Sequence, residues 1–205
     1  MNDPIIVLVE ICQRLATMGL GTSTSGNVSV RTPEGMVVTA TGVSLGETNE
    51  GNVALVDATG TSRNNVKPSK EAGLHLIVYE NSSEADIIIH VHPAHTIAVS
   101  CLIQGEQEAY LPAVTPTFVM RAGMVPITPY AHPGTELLAQ YVGERTHGRA
   151  VVLRNHGLVV WENTARQALG VMEEIEENCR IWLMIRDGGK LLSTEEVNEL
   201  LTRKM

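Results

Sequence analysis

The segment Ile87–Val91 is apolar except for one histidine, and a second histidine follows it directly. Its three consecutive isoleucines predict a buried strand, which Pro93 must end because proline cannot donate a hydrogen bond to a sheet. Since side chains alternate between the faces of a strand, His90 and His92 should point the same way. Two imidazoles on one face suit a transition metal, zinc above all; hydrogen bonds to carbonyl groups or water are the alternative.

A third histidine, His156, lies in an Asn-His-Gly sequence between two apolar segments that predict strands. Gly157 permits a bulge or a close backbone approach that can aim His156 at a site. A histidine in such apolar surroundings needs a polar partner, and a metal already held by two histidines would be one. Three histidines and an open position form the catalytic zinc arrangement. His95 is another candidate ligand, although a hydrogen-bonded histidine at a helix start is the preferred interpretation.

A proline followed by Ser-Lys-Glu supplies the next group of reactive side chains. Ser69 is interpreted as the N-cap of a helix that ends near Asn81, which places Glu71 in the first turn, near the positive end of the helix dipole. A glutamate there usually aids capping, and it gains chemical interest if it also faces a metal. Ser69 and Lys70 can contact a phosphate, Lys70 as a point charge.

The loop before the first predicted strand is rich in hydroxyl groups and glycine. Gly26 lets backbone amides turn toward a ligand, while Thr24, Ser25 and Asn27 supply neutral donors. Such a nest can hold an anion; an ordinary turn is the alternative. Residues 39–42, Thr-Ala-Thr-Gly, repeat the same small, hydroxyl-rich chemistry.

The elements that position these groups alternate between helical and strand patterns. Apolar periodicity predicts helices over residues 4–18, 70–81, 94–102, 134–142, 164–186 and 194–203. Strands are predicted over residues 28–30, 36–39, 53–57, 87–91, 150–153 and 158–161. Prolines predict interrupted, edge-like strands over residues 110–117 and 124–130. The acidic residues of the long helix, Glu173, Glu174, Glu176 and Glu177, are interpreted as a solvated face.

Composition limits the classes of function. The chain has 205 residues, of which 43% are hydrophobic and 19% charged, and this predicts one compact domain over residues 1–205. A formal charge of −8 argues against a nucleic-acid partner, which needs basic surface. No apolar run approaches the roughly 20 residues of a membrane span, so no membrane partner is expected. Because the net charge is negative, the protein as a whole does not attract an anionic substrate, and any phosphate must be held by a local pocket.

Features at the N-terminus and the cysteines bear on location. The first residues, Met-Asn-Asp-Pro, have no basic region before an apolar stretch, so no signal peptide is expected. Cys12, Cys101 and Cys179 are widely spaced in apolar surroundings. They are interpreted as buried thiols in a reducing compartment, which predicts a cytoplasmic protein.

Five of these stretches, in this order and spacing, resemble the class II aldolase/adducin-head family. They are Gly26-Asn27-Val28-Ser29, Thr41-Gly42, Pro68-Ser69-Lys70-Glu71, His90-Val91-His92 and Asn155-His156-Gly157. The resemblance covers nearly the whole chain. It implies an α/β fold, a three-layer α/β/α sandwich around a mostly antiparallel central sheet. It also implies a homotetramer with active sites between subunits.

The resemblance also assigns roles residue by residue. His90, His92 and His156 look like the ligands of Zn²⁺, for which another divalent ion such as Mn²⁺ or Co²⁺ could substitute. Glu71 looks like the catalytic acid/base carboxylate, which can also approach the metal. The remaining matches look like the pocket for a phosphorylated sugar or sugar acid: Thr24, Asn27, Thr41, Gly42 and Ser69, with Lys70 where aldolases commonly have a second serine.

The implied activity is that of a zinc-dependent lyase that cleaves a carbon–carbon bond of a sugar phosphate through a dihydroxyacetone-phosphate enediolate, as in fuculose-1-phosphate aldolases. The alternative is a 3-oxo-tetronate 4-phosphate decarboxylase, which residues 115–123 and the Ser-Lys-Glu sequence resemble. In that case Lys70 or Arg121 would receive the acid's carboxylate. Fuculose aldolases have a tyrosine where this sequence has Pro116 or Thr117, and this difference argues against a strict fuculose-1-phosphate aldolase.

Two further alternatives are weaker. Pentulose-phosphate 4-epimerases of this family carry aspartate where Glu71 stands. A non-catalytic, adducin-like scaffold would be marked by loss of the metal histidines, and all three are present in this sequence.

Overall fold

A computed structural model describes residues 3–21, 23–103 and 109–202. Its centre is an eight-stranded sheet. The strands are β1 (Asn27–Thr32), β2 (Gly35–Thr39), β3 (Val53–Asp57), β4 (Ile87–Val91), β5 (Ala109–Tyr110), β6 (Pro126–Ile127), β7 (Ala150–Leu153) and β8 (Gly157–Glu162). They lie in the order β3-β2-β1-β4-β8-β7-β6-β5. Neighbouring strands are antiparallel except β6 and β7.

Helices cover both faces of the sheet. They are α1 (Pro4–Thr17), α2 (Ala72–Asn81), α3 (Ala94–Leu102), α4 (Pro116–Ala122), α5 (Glu136–Gly143), α6 (Ala165–Ile185) and α7 (Thr194–Thr202). One apolar core joins the sheet to α1, α3, α4, α6 and α7. A second core joins the opposite face to α2 and α5. The predicted three-layer α/β/α sandwich around a mostly antiparallel sheet is therefore confirmed.

Alternation along the central strands decides which polar side chains meet. In β4, Ile87 and Ile89 enter the first core while Ile88 enters the second. His90 follows the parity of Ile88 and so lies on the α2 side of the sheet. Asn27 of β1 is the direct cross-strand partner of His90. The sheet register thus brings a histidine and an amide together beneath α2.

The proline-containing segments differ from their prediction. Residues 110–117 were expected to form an interrupted strand, but β5 covers only Ala109–Tyr110 and the helix α4 starts at Pro116. Thr115 caps that helix by accepting a hydrogen bond from the Phe118 amide, so the Thr-Pro pair is a helix start rather than a strand interruption. Residues 124–130 contribute only the two residues of β6.

Two surface assignments also need correction. Cys12 and Cys179 are buried as predicted, but Cys101 is exposed. Glu176 is not part of a solvated face. Its carboxylate accepts hydrogen bonds from the backbone amides of His95 and Thr96 at 3.0 and 2.9 Å. It therefore satisfies the free amides at the start of α3, immediately after the strand that carries the histidine pair.

The remaining boundaries agree closely with the sequence patterns. Thr164 accepts a hydrogen bond from the Gln167 amide and so caps α6. The predicted end of the last helix, residue 203, lies outside the described residues. Within the described ranges, no helix combines the length and the apolarity that crossing a bilayer requires.

Candidate active site

Three imidazoles from two parts of the chain meet at one end of the central strands. His90 lies in β4, His92 follows it, and His156 lies in the short turn between β7 and β8. Their ring centroids are 4.9–5.0 Å apart. One ring nitrogen from each lies within 4.8 Å of the others, so the structure brings all three predicted ligands together. His95 is not among them, because its ring bonds to the Glu176 carboxylate at 2.7 Å.

Glu71 lies directly beside this histidine cluster. Its Oε2 atom is 3.2 Å from Nε2 of His90, and its Oε1 atom is 3.6 Å from Nε2 of His156. The amide of Asn27 donates a hydrogen bond to Oε2 at 3.0 Å. Burial raises the pKa of Glu71, but the neighbouring His90, His156 and Asn27 outweigh burial and hold the pKa well below its ordinary value. Glu71 is therefore a carboxylate at neutral pH.

Two of the three histidines, His92 and His156, favour the neutral form that metal binding requires. Burial, reinforced by the neighbouring rings and opposed by Glu71, lowers the pKa of both His92 and His156 to about 4. Nδ1 of the buried His90 lies 3.0 Å from the carbonyl oxygen of Leu158. A His90 ring that binds a metal through Nε2 would carry its proton on Nδ1 and donate it to this carbonyl.

This donor set fits a divalent cation. The Nε2 atoms of His90 and His92 are 3.1 Å apart. Oε1 of Glu71 is buried and has no hydrogen-bond partner, although it faces a ring nitrogen of His156. Converging imidazole lone pairs and a carboxylate oxygen without a partner are costly when left alone, and a cation among them would satisfy them together.

A glycine makes the convergence of the rings possible. An added Cβ at Gly157 would lie 2.7 Å from the Val91 carbonyl oxygen and 2.8 and 3.0 Å from ring carbons of His92 and His90. The close backbone approach predicted at Gly157 is thus present, and it leaves space that the histidine rings fill.

We expect Gly157→Ala to displace the rings and weaken metal binding by about 10- to 100-fold, the range seen when the support of a ligand is altered. The measurement is a competition titration against a zinc chelator. Gly188→Ala is the matched control, since a Cβ there would meet nothing within 4 Å. Equal metal affinity in the two variants would contradict this account of the cluster.

Two polar loops and the histidine cluster share one cavity of about 710 Å³. Backbone hydrogen bonds from Thr41 to Lys67 and from Ser69 to Thr39 join the loop after β2 to the segment before α2. Nine of the ten predicted site residues line the cavity, and only the buried His90 does not. They are Thr24, Asn27, Thr41, Gly42, Ser69, Lys70, Glu71, His92 and His156, and Pro133 and Gly134 complete the opposite wall.

Gly26 allows the loop before β1 to pack against the strand that carries the histidines. Its backbone has φ +84°, and an added Cβ would lie 2.9 Å from the carbonyl oxygen of His90. A side chain is therefore excluded here both by conformation and by space. The backbone of the polar loop consequently packs directly against the backbone of the strand that carries His90.

Two predicted details at this site are wrong. Ser69 is not the N-cap of α2. Glu71 occupies that position, and Ser69 only accepts a hydrogen bond from the Glu71 amide at 3.3 Å. Because the Glu71 side chain makes no capping hydrogen bond, its carboxylate is available to the histidines. Arg121 lies 3.8 Å from Glu174 of α6 and does not line the cavity.

One residue beneath the site was not predicted from the sequence. His75 is completely buried, with its ring between Ser29 and Asn27. Burial and the nearby His90 lower the pKa of His75 to about 3 against the opposing effect of Glu71, so the ring is neutral. The sequence did indicate a role for His75, because it lies in an apolar helical stretch and, like His156, needs a polar partner when buried.

A carboxylate and an imidazole cluster line one polar cavity in this three-layer sandwich, an arrangement that fits an enzyme site for a divalent cation and a polar substrate. The chain belongs to the class II aldolase and adducin family, because the profile of the Class II Aldolase and Adducin N-terminal domain matches residues 7–183.

Individual relatives share most of their length with this chain. The 3-oxo-tetronate 4-phosphate decarboxylase of Cupriavidus necator is 34% identical over 87% of this chain and 84% of its own. The L-fuculose phosphate aldolase of Escherichia coli K12 is 30% identical over 96% and 91%. The crystal structure of YgbL from Escherichia coli, described as an aldolase, epimerase or decarboxylase, superposes with a TM-score of 0.90 at 31% identity and covers 97% of both chains. Aldolases and such decarboxylases are carbon–carbon lyases, and this chain is an enzyme of that class.

Proposed function

We propose that the chain is a zinc-dependent decarboxylase of a 3-oxo-tetronate 4-phosphate. The observation that carries this proposal is one cavity that combines part of the histidine cluster and a carboxylate with hydroxyl groups and Lys70. Relatives named as 3-oxo-tetronate 4-phosphate decarboxylases, 33–34% identical to the chain, support this substrate. In this reaction the bond to the carboxylate carbon breaks and carbon dioxide leaves. The electron pair remains on the sugar fragment, which takes up a proton and becomes dihydroxyacetone phosphate.

His90, His92 and His156 would hold the metal, with Glu71 close enough to approach it. When bound, the ion supplies a Lewis acid that polarises a carbonyl group and stabilises the negative charge left by bond cleavage. Glu71 moves the proton. Because its pKa is held low, it enters the reaction as a carboxylate, takes a proton from water and delivers it to the carbon that loses carbon dioxide.

The part of the cavity rich in hydroxyl groups is assigned to the phosphate. Thr41, Gly42 and Ser69 line the cavity with hydroxyl and backbone groups, as does Thr24 on the loop before β1. Lys70 is the cation that lines this cavity. A lysine fits a substrate with a carboxylate in addition to its phosphate, because a point charge can hold an anion without fixed geometry.

Aldol cleavage of a fuculose 1-phosphate is the second candidate. It is favoured by relatives named L-fuculose phosphate aldolase, which are 30% identical over 91% of their length. The two reactions share the carbanionic fragment and differ in the leaving group, which is an aldehyde in one case and carbon dioxide in the other. Glu71 and the three histidines would have the same roles in both.

Parallel incubations with 3-oxo-tetronate 4-phosphate and with fuculose 1-phosphate separate the candidates. We expect the first substrate to yield carbon dioxide and dihydroxyacetone phosphate in equal amounts, and the second to yield little of the aldehyde. Cleavage of fuculose 1-phosphate alone would reject the decarboxylase and establish the aldolase. Lys70→Ser, which introduces the residue common in aldolases, should raise the KM for the acid more than the KM for the ketose phosphate.

We also propose a cytoplasmic homotetramer of one-domain chains, with active sites between subunits. Free thiols support the reducing compartment, and exposed apolar side chains such as Tyr130, which is 60% exposed, support subunit contacts. Light scattering should give a mass four times the 22.2 kDa of one chain. A monomeric mass with full activity would reject the shared sites.

A further inference from the structure

A line of buried hydrogen bonds runs from inside the protein to the Glu71 carboxylate. Nδ1 of His75 lies 2.6 Å from the Ser29 hydroxyl, and Nε2 lies 2.5 Å from Oδ1 of Asn27. The amide nitrogen of Asn27 then donates to Oε2 of Glu71 at 3.0 Å. Tyr79 continues the line on the other side, with its hydroxyl 2.7 Å from that of Ser29.

The chemistry of the groups fixes the direction of these bonds. A Glu71 carboxylate can only accept, so Asn27 must turn its NH₂ group toward it and its oxygen toward His75. That oxygen also only accepts, so Nε2 of His75 must carry the ring proton. Nδ1 is left with a lone pair and accepts from the hydroxyl of Ser29, which in turn can accept from Tyr79.

We propose that His75 is a positioning residue for catalysis: its Nε2–H holds the Asn27 amide in the one orientation that donates to Glu71. Without that bond, the Asn27 side chain could rotate and present its oxygen to the carboxylate, which would repel it. Because Oε2 is held by Asn27, Oε1 is the Glu71 oxygen left without a hydrogen-bond partner. This inference rests on the proposed role of Glu71 as the proton carrier, and it applies equally to the decarboxylase and the aldolase.

Two variants of His75 separate its bond to Asn27 from its bond to Ser29, because glutamine and asparagine side chains differ in length. In His75→Gln, the amide nitrogen of the new side chain takes the place of Nε2 and can still donate to Asn27. In His75→Asn, the shorter side chain reaches only the place of Nδ1, so the bond to Ser29 is kept and the bond to Asn27 is lost. A residue needed only to fill space would show no such preference.

The decisive kinetic experiment compares these variants, fully loaded with zinc, on whichever candidate substrate the wild type converts. We expect kcat of His75→Asn to fall about tenfold or more with KM changed less than about threefold, since a charge-assisted hydrogen bond is lost from the carboxylate and not from the substrate. His75→Gln should retain kcat within about threefold. Both should keep one zinc per chain. Equal kcat values in the two variants would overturn the inference.

The tautomer provides a test that needs no turnover. Nitrogen-15 NMR of the zinc-loaded wild-type protein should show a neutral His75 ring with its proton on Nε2, assigned by the loss of its signals in His75→Gln. A proton on Nδ1, or a positively charged ring, would overturn the inference for any substrate. If the ring carries its proton on Nε2 while the protein converts neither candidate substrate, the proposed function fails and the assigned direction of the hydrogen bonds stands.

Discussion

Replacement of His92 by alanine is expected to remove bound metal and activity together. The variant keeps only two of the three imidazoles whose ligand nitrogens lie within 4.8 Å of one another, and structural or catalytic zinc sites use at least three protein ligands. Zinc content after dialysis should fall from about one ion per chain to near zero, as measured by plasma mass spectrometry. The rate should fall at least about 10³-fold, because Lewis-acid stabilisation contributes several kcal/mol and each 1.4 kcal/mol is a factor of ten.

An unrelated imidazole provides the control for this experiment. His147 is exposed and lies in the segment between α5 and β7, so His147→Ala should keep both its zinc and its rate. His92→Ala should also keep its fold, because the side chain is only partly buried and supports no helix or strand. Full turnover by His92→Ala would reject the assignment of the ligands. Loss of turnover with zinc retained would restrict His92 to a role in binding substrate.

The central part of this fold was predicted correctly because each apolar pattern there fits only one type of secondary structure. The triple isoleucine of β4, the hairpin of β1 and β2, and the capped helix α6 each combine a strong local preference with burial. The prolines of residues 110–130 left the choice between strand and helix open. A proline disfavours the middle of a strand and is equally at home in the first turn of a helix, so Thr115-Pro116 was assigned to the wrong element.

The candidate site shows a similar division. Types and spacing made His90, His92 and His156 candidates for one metal site, with hydrogen bonding as the alternative. The role of Glu71 came from the family resemblance, because a glutamate in the first turn of a helix usually aids capping. The position of Glu71 at the N-cap of α2 depends on backbone hydrogen bonds between residues 39–41 and 67–69 that have no local pattern in the sequence. The connection of His75 to Asn27 spans 48 positions and follows only from the sheet register.

Replacement of Glu71 by glutamine should separate proton transfer from metal binding. Glutamine has the same length and can still accept the hydrogen bond from Asn27, but it cannot carry a proton. We therefore expect kcat to fall by about 10² to 10⁴, the usual contribution of a general acid or base, while the histidine cluster keeps its zinc. A second measurement addresses the step itself: exchange of the carbon-bound hydrogen of dihydroxyacetone phosphate with deuterated water should be lost in parallel with kcat.

The exchange reaction makes this prediction specific, since it involves one product and no leaving group. If Glu71→Gln still catalysed exchange at the wild-type rate while kcat fell, another group would have to carry the proton, and Glu71 would act only through the metal or the substrate. If zinc were lost as well, the carboxylate would have to be a required ligand. Glu84→Gln, at an exposed position, is the matched control and should leave both rates unchanged. The carboxylate beside the histidines is thus tested at the atom that defines its role, because only a proton carrier couples solvent hydrogen to that carbon.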